Sequence, residues 1–288
     1  MSRVVVIGNA GLDLPLAVSR LPLPGETLIG RADARAPGGK GLNQAVVAAR
    51  CGGAVRFCAP LGNDDAEAAV LEGYLRREGF AGLHLPRLPH PTDFSLLMVL
   101  PDGENSIVST SACSLAMSYA QAEPALHDLR DGDVVLLQGN LALDTTGAIL
   151  AAAGRRGAMT VFNPAPFWPG AENLVERCNL VIANRGEAEA LGSSLRTARA
   201  AIVTLGADGC TLMEGERRHS FAAEPVTAVD TTACGDVFCG VMAALRARGM
   251  VIADAIPRAQ KAAALTATRR GAYAALPFSE ELCSLSIG

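Results

Sequence analysis

Late in the chain, Asp230-Thr231-Thr232-Ala233-Cys234-Gly235-Asp236 sets two carboxylates around a run of small residues, and an Ala/Leu-rich helical run follows to Gly249. In a loop that opens a helix, small side chains at 233–235 let backbone N–H groups aim at one point. The helix macrodipole adds positive potential there for a phosphate or a developing anion. Asp236 then has two readings: a carboxylate that is favourable in any first helical turn, or a general base facing the same anion hole. Local physics favours the first, because a base needs a substrate hydroxyl within about 3 Å. A thiol placed as Cys234 is, at a helix N-terminus, is expected to have a lowered pKa and to alkylate readily. A second element, PGGKGLNQAVVAARCGG (37–53), puts Gly38, Gly39 and Gly41 around Lys40 directly before a helical run. Its amides can bind an anion or let a polar ligand approach, and a purely structural turn explains the pattern equally well; the GxxxxGK[ST] spacing of a phosphate-binding loop is missing.

The elements that must position these stretches are legible in the apolar pattern. Val/Ile/Leu-rich runs at 3–7, 54–59, 133–138, 158–162, 179–183 and 200–205 predict strands buried on both faces. Ala-rich segments with helical spacing at 41–51, 64–78, 118–129 and 144–156 alternate with them, which predicts βαβ units with right-handed crossovers on a parallel sheet. Two regions break the rhythm: 11–35, rich in Pro and Gly, and 92–110, a hairpin turning at Pro101-Asp102-Gly103. Together they are expected to form a small lid. CTLMEG and RRHSFA after residue 209 predict a second hairpin, and two long helices are expected from 233 to about 270. No repeat, low-complexity tract or linker divides the chain, so 1–288 reads as a single domain with the lid inserted in it.

Composition narrows the function classes. Of 288 residues 50% are apolar and 19% charged, enough apolar area to offset the entropy of ordering and too little charge for a disordered chain. The net charge of −4, from 25 Lys and Arg against 29 Asp and Glu, supplies no field for a polyanionic duplex, so no nucleic-acid partner is expected. The eight cysteines, 51, 58, 113, 178, 210, 234, 239 and 283, form no C-x-x-C pair and no zinc spacing with the four histidines, 84, 90, 127 and 219. They read as small apolar residues of a reducing compartment, which makes the cytoplasm the expected location. The opening MSRVVVIGNAGLD is too short and too polar for a signal segment, and no apolar run approaches the ~20 residues that cross a bilayer, so no membrane partner is expected either.

The two glycine-rich elements, in this order and on this rhythm, resemble the signatures of the ribokinase-like (PfkB) carbohydrate kinase family, GGKG-x-N and DT-x-[AG]-x-GD, here Gly38–Asn43 and Asp230–Asp236. The intervening landmarks match along nearly the full length: VVVIGNAGLD (4–13), RLPLPGET (20–27), a Thr92-led hairpin, FNPAP (162–166), NRGEAEAL (184–191), TLGADG (204–209) and RRGAYAALP (269–277). The wording is nearest to the ribokinase branch. The resemblance implies an α/β fold, a three-layer α/β/α core with a mainly parallel sheet and a small β-sheet lid. It implies an ATP-dependent sugar kinase that transfers the γ-phosphate to a primary hydroxyl, with a pentose such as ribose as the expected acceptor.

Residue by residue, Asp236 matches the family's general base, and Ala233, Cys234 and Gly235 match its backbone anion hole, across which ATP would shield the Cys234 thiol. Asp13, Gly39, Lys40 and Asn43, with Asn140, fall at sugar-contacting positions; an Asx turn at Asp13 and a polar first-turn residue at Asn43 are the bland alternatives. Asn184 and Glu187 match an Asn-x-x-Glu element that places Mg²⁺ and phosphates through water, and the same pair can form a capping box. Thr204, Gly206, Asp208 and Gly209 match the border of the nucleotide groove, while Asp230 and Thr232, with backbone near Arg270 and Gly271, match a monovalent-cation site for an activating K⁺. Asp230 serving only to tie the loop is the other reading of that site.

Two departures set the chain apart from the branch. Gly11 stands where the ribokinase pattern has Asn, and Gly139-Asn140 stand where it has Glu, each replacing a sugar contact that discriminates by roughly 0.5–3 kcal/mol. A ketohexose or nucleoside kinase therefore stays beside the pentose reading, as does a silent sugar- or nucleotide-binding regulator, which would have no need of Asp236. A dinucleotide-dependent dehydrogenase is disfavoured, since GNAGLD replaces GxGxxG after the first strand. Phe94, Leu96 and Met98 give the hairpin an apolar face expected to close over the sugar and exclude water, and such a lid could pair with a second copy as a homodimer.

Overall fold

Successive residues of the apolar runs leave their strands on opposite sides. In β1 (Arg3–Ile7), Val4 and Val6 enter one core cluster while Val5 and Ile7 enter another, so a continuous apolar run is what a sheet covered on both faces requires. The computed structural model describes residues 2–63, 65–101 and 105–287. The first half of the chain continues with β2 (Gly11–Ala17), β3 (Arg31–Ala32), β4 (Ala36–Gly38), α1 (Lys40–Arg50), β5 (Ala54–Cys58), β6 (Leu61–Gly62), α2 (Ala66–Leu75), β7 (Gly82–His84), β8 (Arg87–Leu88), β9 (Phe94–Val99) and β10 (Asn105–Ser109). After α3 (Ala112–Ala116) and α4 (Tyr119–Ala122) come β11 (Val134–Gln138), α5 (Leu143–Arg155), β12 (Met159–Asn163), β13 (Leu180–Asn184), α6 (Arg185–Leu191) and β14 (Ala200–Thr204). The chain closes with β15 (Cys210–Glu214), β16 (Arg217–Phe221), α7 (Cys234–Ala247), α8 (Ile252–Ala267) and α9 (Ser279–Ser284).

The main sheet has nine strands in the order β16-β15-β14-β13-β12-β11-β1-β5-β7, parallel from β14 to β7, with the predicted second hairpin added antiparallel as β15 and β16. Helices α1, α2, α7 and α8 cover one face, and α3 to α6 cover the other. The chain steps from β1 outward to β5 on one side and returns to β11 on the other. That reversal opens a crevice at the carboxyl ends of the strands, where doubly wound sheets carry their sites. Gln138 and Asn163 are register partners there, as are Asn184 and Thr204, so four polar strand ends line up along one edge.

A second, smaller sheet, β10-β9-β2-β3 with β4 also on β2, stands where the lid is expected. β2 runs parallel to β9 from Leu12↔Phe94 to Ala17↔Val99, while Leu12 and Leu14 reach down into the core. The hairpin's strands are those expected, and of its predicted turn Asp102 and Gly103 lie outside the described residues. One helix is shorter than the spacing predicts. In place of a helix over 118–129, α4 gives way to a 3₁₀ turn at Glu123–Ala125, because Pro124 has no N–H to donate to a continuing α-helical ladder.

Candidate active site

Asp236 is the third residue of α7 and 4% exposed. Its two oxygens are held from α1, which packs against α7: Asn43 Nδ2 donates to Oδ2 at 3.1 Å and Gln44 Nε2 donates to Oδ1 at 3.0 Å. Lys40 Nζ stands 3.9 Å from Oδ1, and the Asp236 charge raises the ammonium's pKa against the effect of burial. The local reading of Asp236 as an ordinary first-turn carboxylate does not account for this. A carboxylate so buried, oriented by two carboxamides and faced by a cation, can accept a proton from a hydroxyl group brought beside it.

The two helix starts differ in what their amides do. At α1, Asn9 takes the Gly41 N–H on its side chain at 3.1 Å and the Leu42 N–H on its carbonyl at 3.0 Å, so two of the first three amides there are satisfied internally. Gly39 before it has φ 102°, a left-handed conformation that a side chain would strain. At α7 no side chain caps the helix, and Ala233 itself adopts φ 63°. Cys234 N–H donates to the Thr231 carbonyl at 3.3 Å, while the amides of Ala233, Gly235 and Asp236 meet no acceptor among the described residues. The free amides of α7 are therefore the ones a negative group would find. The expected activation of the Cys234 thiol is not found. Burial, then the charges of Asp230 and Asp236, push it up to about 11, outweighing the helix terminus.

Asp13 projects from β2, 9% exposed, and Gly38 leaves room for its carboxylate, since a Cβ there would stand 2.2 Å from Oδ1. Burial raises its pKa to about 6, with a hydrogen bond from Ser95 working the other way and the Asp236 charge adding to the rise. On the opposite side, Asn184, Glu187 and Thr204 share a cleft with Lys40, Asn163 and Asp236. Asn184 and Glu187 make the complete capping box of α6, and burial raises the Glu187 carboxyl. Gly206, Asp208 and Gly209 form the tight turn after β14, with Asp208 paired to Arg185 at 3.0 Å. Asp230 ties the loop: its oxygens accept from Thr232 N at 2.8 Å and Gly271 N at 2.9 Å; burial raises its carboxyl pKa, and the Thr232 hydroxyl, these two N–H bonds and the Arg270 charge together lower it further than burial raises it.

Three buried residues of this region have no assigned role at the level of sequence: Gln44 and Asn163, which lie inside the stretches 37–53 and 162–166, and Gln138. Gln44 Nε2 also donates to Asn163 Oδ1 at 3.1 Å, and Gln138 Nε2 donates to Gln44 Oε1 at 2.8 Å. A signal for Gln138 was present, a lone polar residue closing an apolar strand. Asn140 follows it in the turn, and its Oδ1 is buried with no partner among the described residues. Both departures from the branch pattern are built into the backbone. A Cβ at Gly11 would stand 2.4 Å from the Asp93 carbonyl oxygen, and one at Gly139 would stand 2.0 Å from that of Pro166.

A profile of the pfkB family carbohydrate kinases matches residues 1–279. The ribokinase of Bacillus subtilis (strain 168) is 29% identical over 289 residues, covering 98% of each chain. Among solved structures, ribokinase from Thermotoga maritima superposes with a TM-score of 0.88 at 29% identity over 100% of both chains. Ribokinase from Cryptococcus neoformans var. grubii serotype A, solved in complex with ADP, superposes with a TM-score of 0.83 at 25% identity over 99% of each.

Proposed function

The chain belongs to the pfkB family of carbohydrate kinases and is an ATP-dependent phosphotransferase with an alcohol acceptor, and from that premise we propose that Asp236 is the base that activates the primary hydroxyl of a pentose. The observation that carries the reading is the buried Asp236 carboxylate, held by Asn43 and Gln44, at the start of α7, where the amides of Ala233, Gly235 and Asp236 meet no acceptor among the described residues. Phosphoryl transfer is largely positioning and charge stabilisation. In this reading Asp236 takes the hydroxyl proton as the oxygen attacks the γ-phosphorus in line, and the departing ADP carries the charge of the broken P–O bond. The free N–H groups of Ala233, Gly235 and Asp236 and the Lys40 ammonium meet the negative charge of the phosphoryl group in flight. Asp13 and Asn43 orient the sugar: the first accepts from hydroxyls, and the second has a buried Oδ1 with no partner among the described residues.

For the metals, the donor set decides the fit. Among the described residues no cluster of three or more His, Cys, Asp and Glu could hold an ion by itself, which suits a Mg²⁺ carried mainly by phosphate oxygens and water beside Asn184 and Glu187. Such an ion would neutralise charge on the phosphates. K⁺ fits less tightly, as both oxygens of Asp230 already accept a backbone N–H, so it would act only on the lone pairs that remain, next to Thr232. No helix among the described residues is long and apolar enough to cross a membrane, and eight free thiols, six of them buried, suit the cytoplasm.

The test is ADP release with Mg²⁺-ATP against pentoses, hexoses, sugar acids and nucleosides, in potassium and in tetramethylammonium, beside Asp236→Asn. A pentose is expected to turn over, faster in potassium, and the variant to lose about 10²–10⁴ of the rate while keeping its fold and ATP binding. An active Asp236→Asn would refute the base. ATP binding without turnover on any acceptor would favour a silent regulator.

A further inference from the structure

We propose that Gln44 and Gln138 are positioning residues for the reaction, a buried carboxamide relay that presents an N–H, and not a carbonyl, to Asp236; this rests on the reading of Asp236 as the base. A glutamine side chain has a donor end and an acceptor end, and which one faces a carboxylate decides whether the carboxylate is held or repelled. A backbone carbonyl sets that choice from one side, and Gln138 matches it from the other. The Ile182 carbonyl accepts from Asn163 Nδ2 at 2.8 Å, which turns Asn163 Oδ1 toward Gln44. From the other side, Gln138 Nε2 donates to Gln44 Oε1 at 2.8 Å. Gln44 is left with one orientation, its Nε2 shared between Asn163 Oδ1 and Asp236 Oδ1.

Gln44 and Gln138 are both fully buried, so no bulk water offers a substitute partner. Gln138 makes no described hydrogen bond to Asp236 and acts through Gln44. Gly8 leaves room for it, since a Cβ there would fall 2.0 Å from its Oε1, an oxygen with no partner among the described residues. Without Gln138, the Gln44 carbonyl becomes a buried acceptor with no donor, and the side chain leaves its place to find one. Asp236 then loses an N–H bond that favours its charged form. The other titratable groups that bear on Asp236 are Lys40 of α1, Asp13 of β2, Glu187 of α6, and Cys234 and Cys239 of its own helix. None of them changes in a Gln138 variant.

The experiment is the pH profile of the single-turnover transfer rate for wild type, Gln44→Met, Gln138→Met and the double variant. Gln44→Met is expected to move the acid limb upward by about one pH unit, Gln138→Met to move it in the same direction, and the double variant to move it no further than Gln44→Met. A Gln138→Met limb at the wild-type position, or one that shifts further in the Gln44→Met background, overturns the relay. If Gln138→Met does not fold, the wild-type protein decides: the side-chain amide resonance of Gln44 should titrate with the midpoint of the acid limb, and a flat resonance overturns the proposal. An active Asp236→Asn would remove the base and the relay together, whereas an inactive one beside an unmoved Gln138→Met limb removes the relay alone.

Discussion

Asp13 shows how a residue can be placed for function at a cost to the fold. Burial holds its carboxyl at about 6 in the native state against 3.8 for an exposed aspartate, so its contribution to stability is complete below about 3.8 and is lost as the pH rises through about 6. The two-unit difference amounts to about 3 kcal/mol at most. Asp13→Asn is therefore expected to raise the melting temperature at pH 8, with a gain that shrinks toward pH 4, and to raise KM for the sugar. An equal gain at both pH values, read by calorimetry, would show that charge burial is not the cause. In the wild type, KM for the sugar should climb as the pH falls below about 6, where the carboxylate acquires a proton and loses an acceptor site.

At the scale of elements, the site depends on how closely α1 and α7 approach. Gly240 makes that approach possible: a Cβ there would stand 2.6 Å from the Gln44 carbonyl oxygen and 3.0 Å from Val47 Cβ. Gly240→Ala must push apart the helices that carry Lys40, Asn43 and Gln44 on one side and Asp236 on the other. We expect a loss of about 1–3 kcal/mol from overpacking and a fall in kcat of tenfold or more with ATP binding retained. Unchanged kcat in a folded Gly240→Ala enzyme would mean that the spacing of the two helices is not critical.

For the molecule as a whole, the lid is where an assembly would form. Phe94, Ile107 and Val108 of its strands are 39%, 47% and 61% exposed, three large apolar side chains on one hairpin. A dimer through this sheet predicts twice the chain mass by light scattering at micromolar concentration and a monomer for Val108→Glu. A monomeric wild type would count against it.

Much of this was legible in one dimension because the relevant signals are local. Two-sided burial writes continuous apolar runs, and β1, β5, β11, β12, β13 and β14 fall within a residue or two of the runs that predict them. Glycine-rich helix starts show as short strings, and the resemblance to family signatures named Asp236, Lys40, Asn43, Asn184 and Glu187 before any geometry was known. Tertiary structure alone decided the rest. Gln44 and Gln138 lie 94 residues apart, and a glutamine at the end of an apolar run carries no mark of the partner it will meet. The Cys234 thiol could be read as activated from its helix position, while its desolvation depends on everything packed around it. Sequence thus determined the sheet and the helix starts, because each depends on neighbours along the chain, and its resemblance to a family supplied the class of chemistry. The orientation of the base, the direction of each pKa shift and the space denied at Gly11 and Gly139 depend on neighbours brought together only by folding.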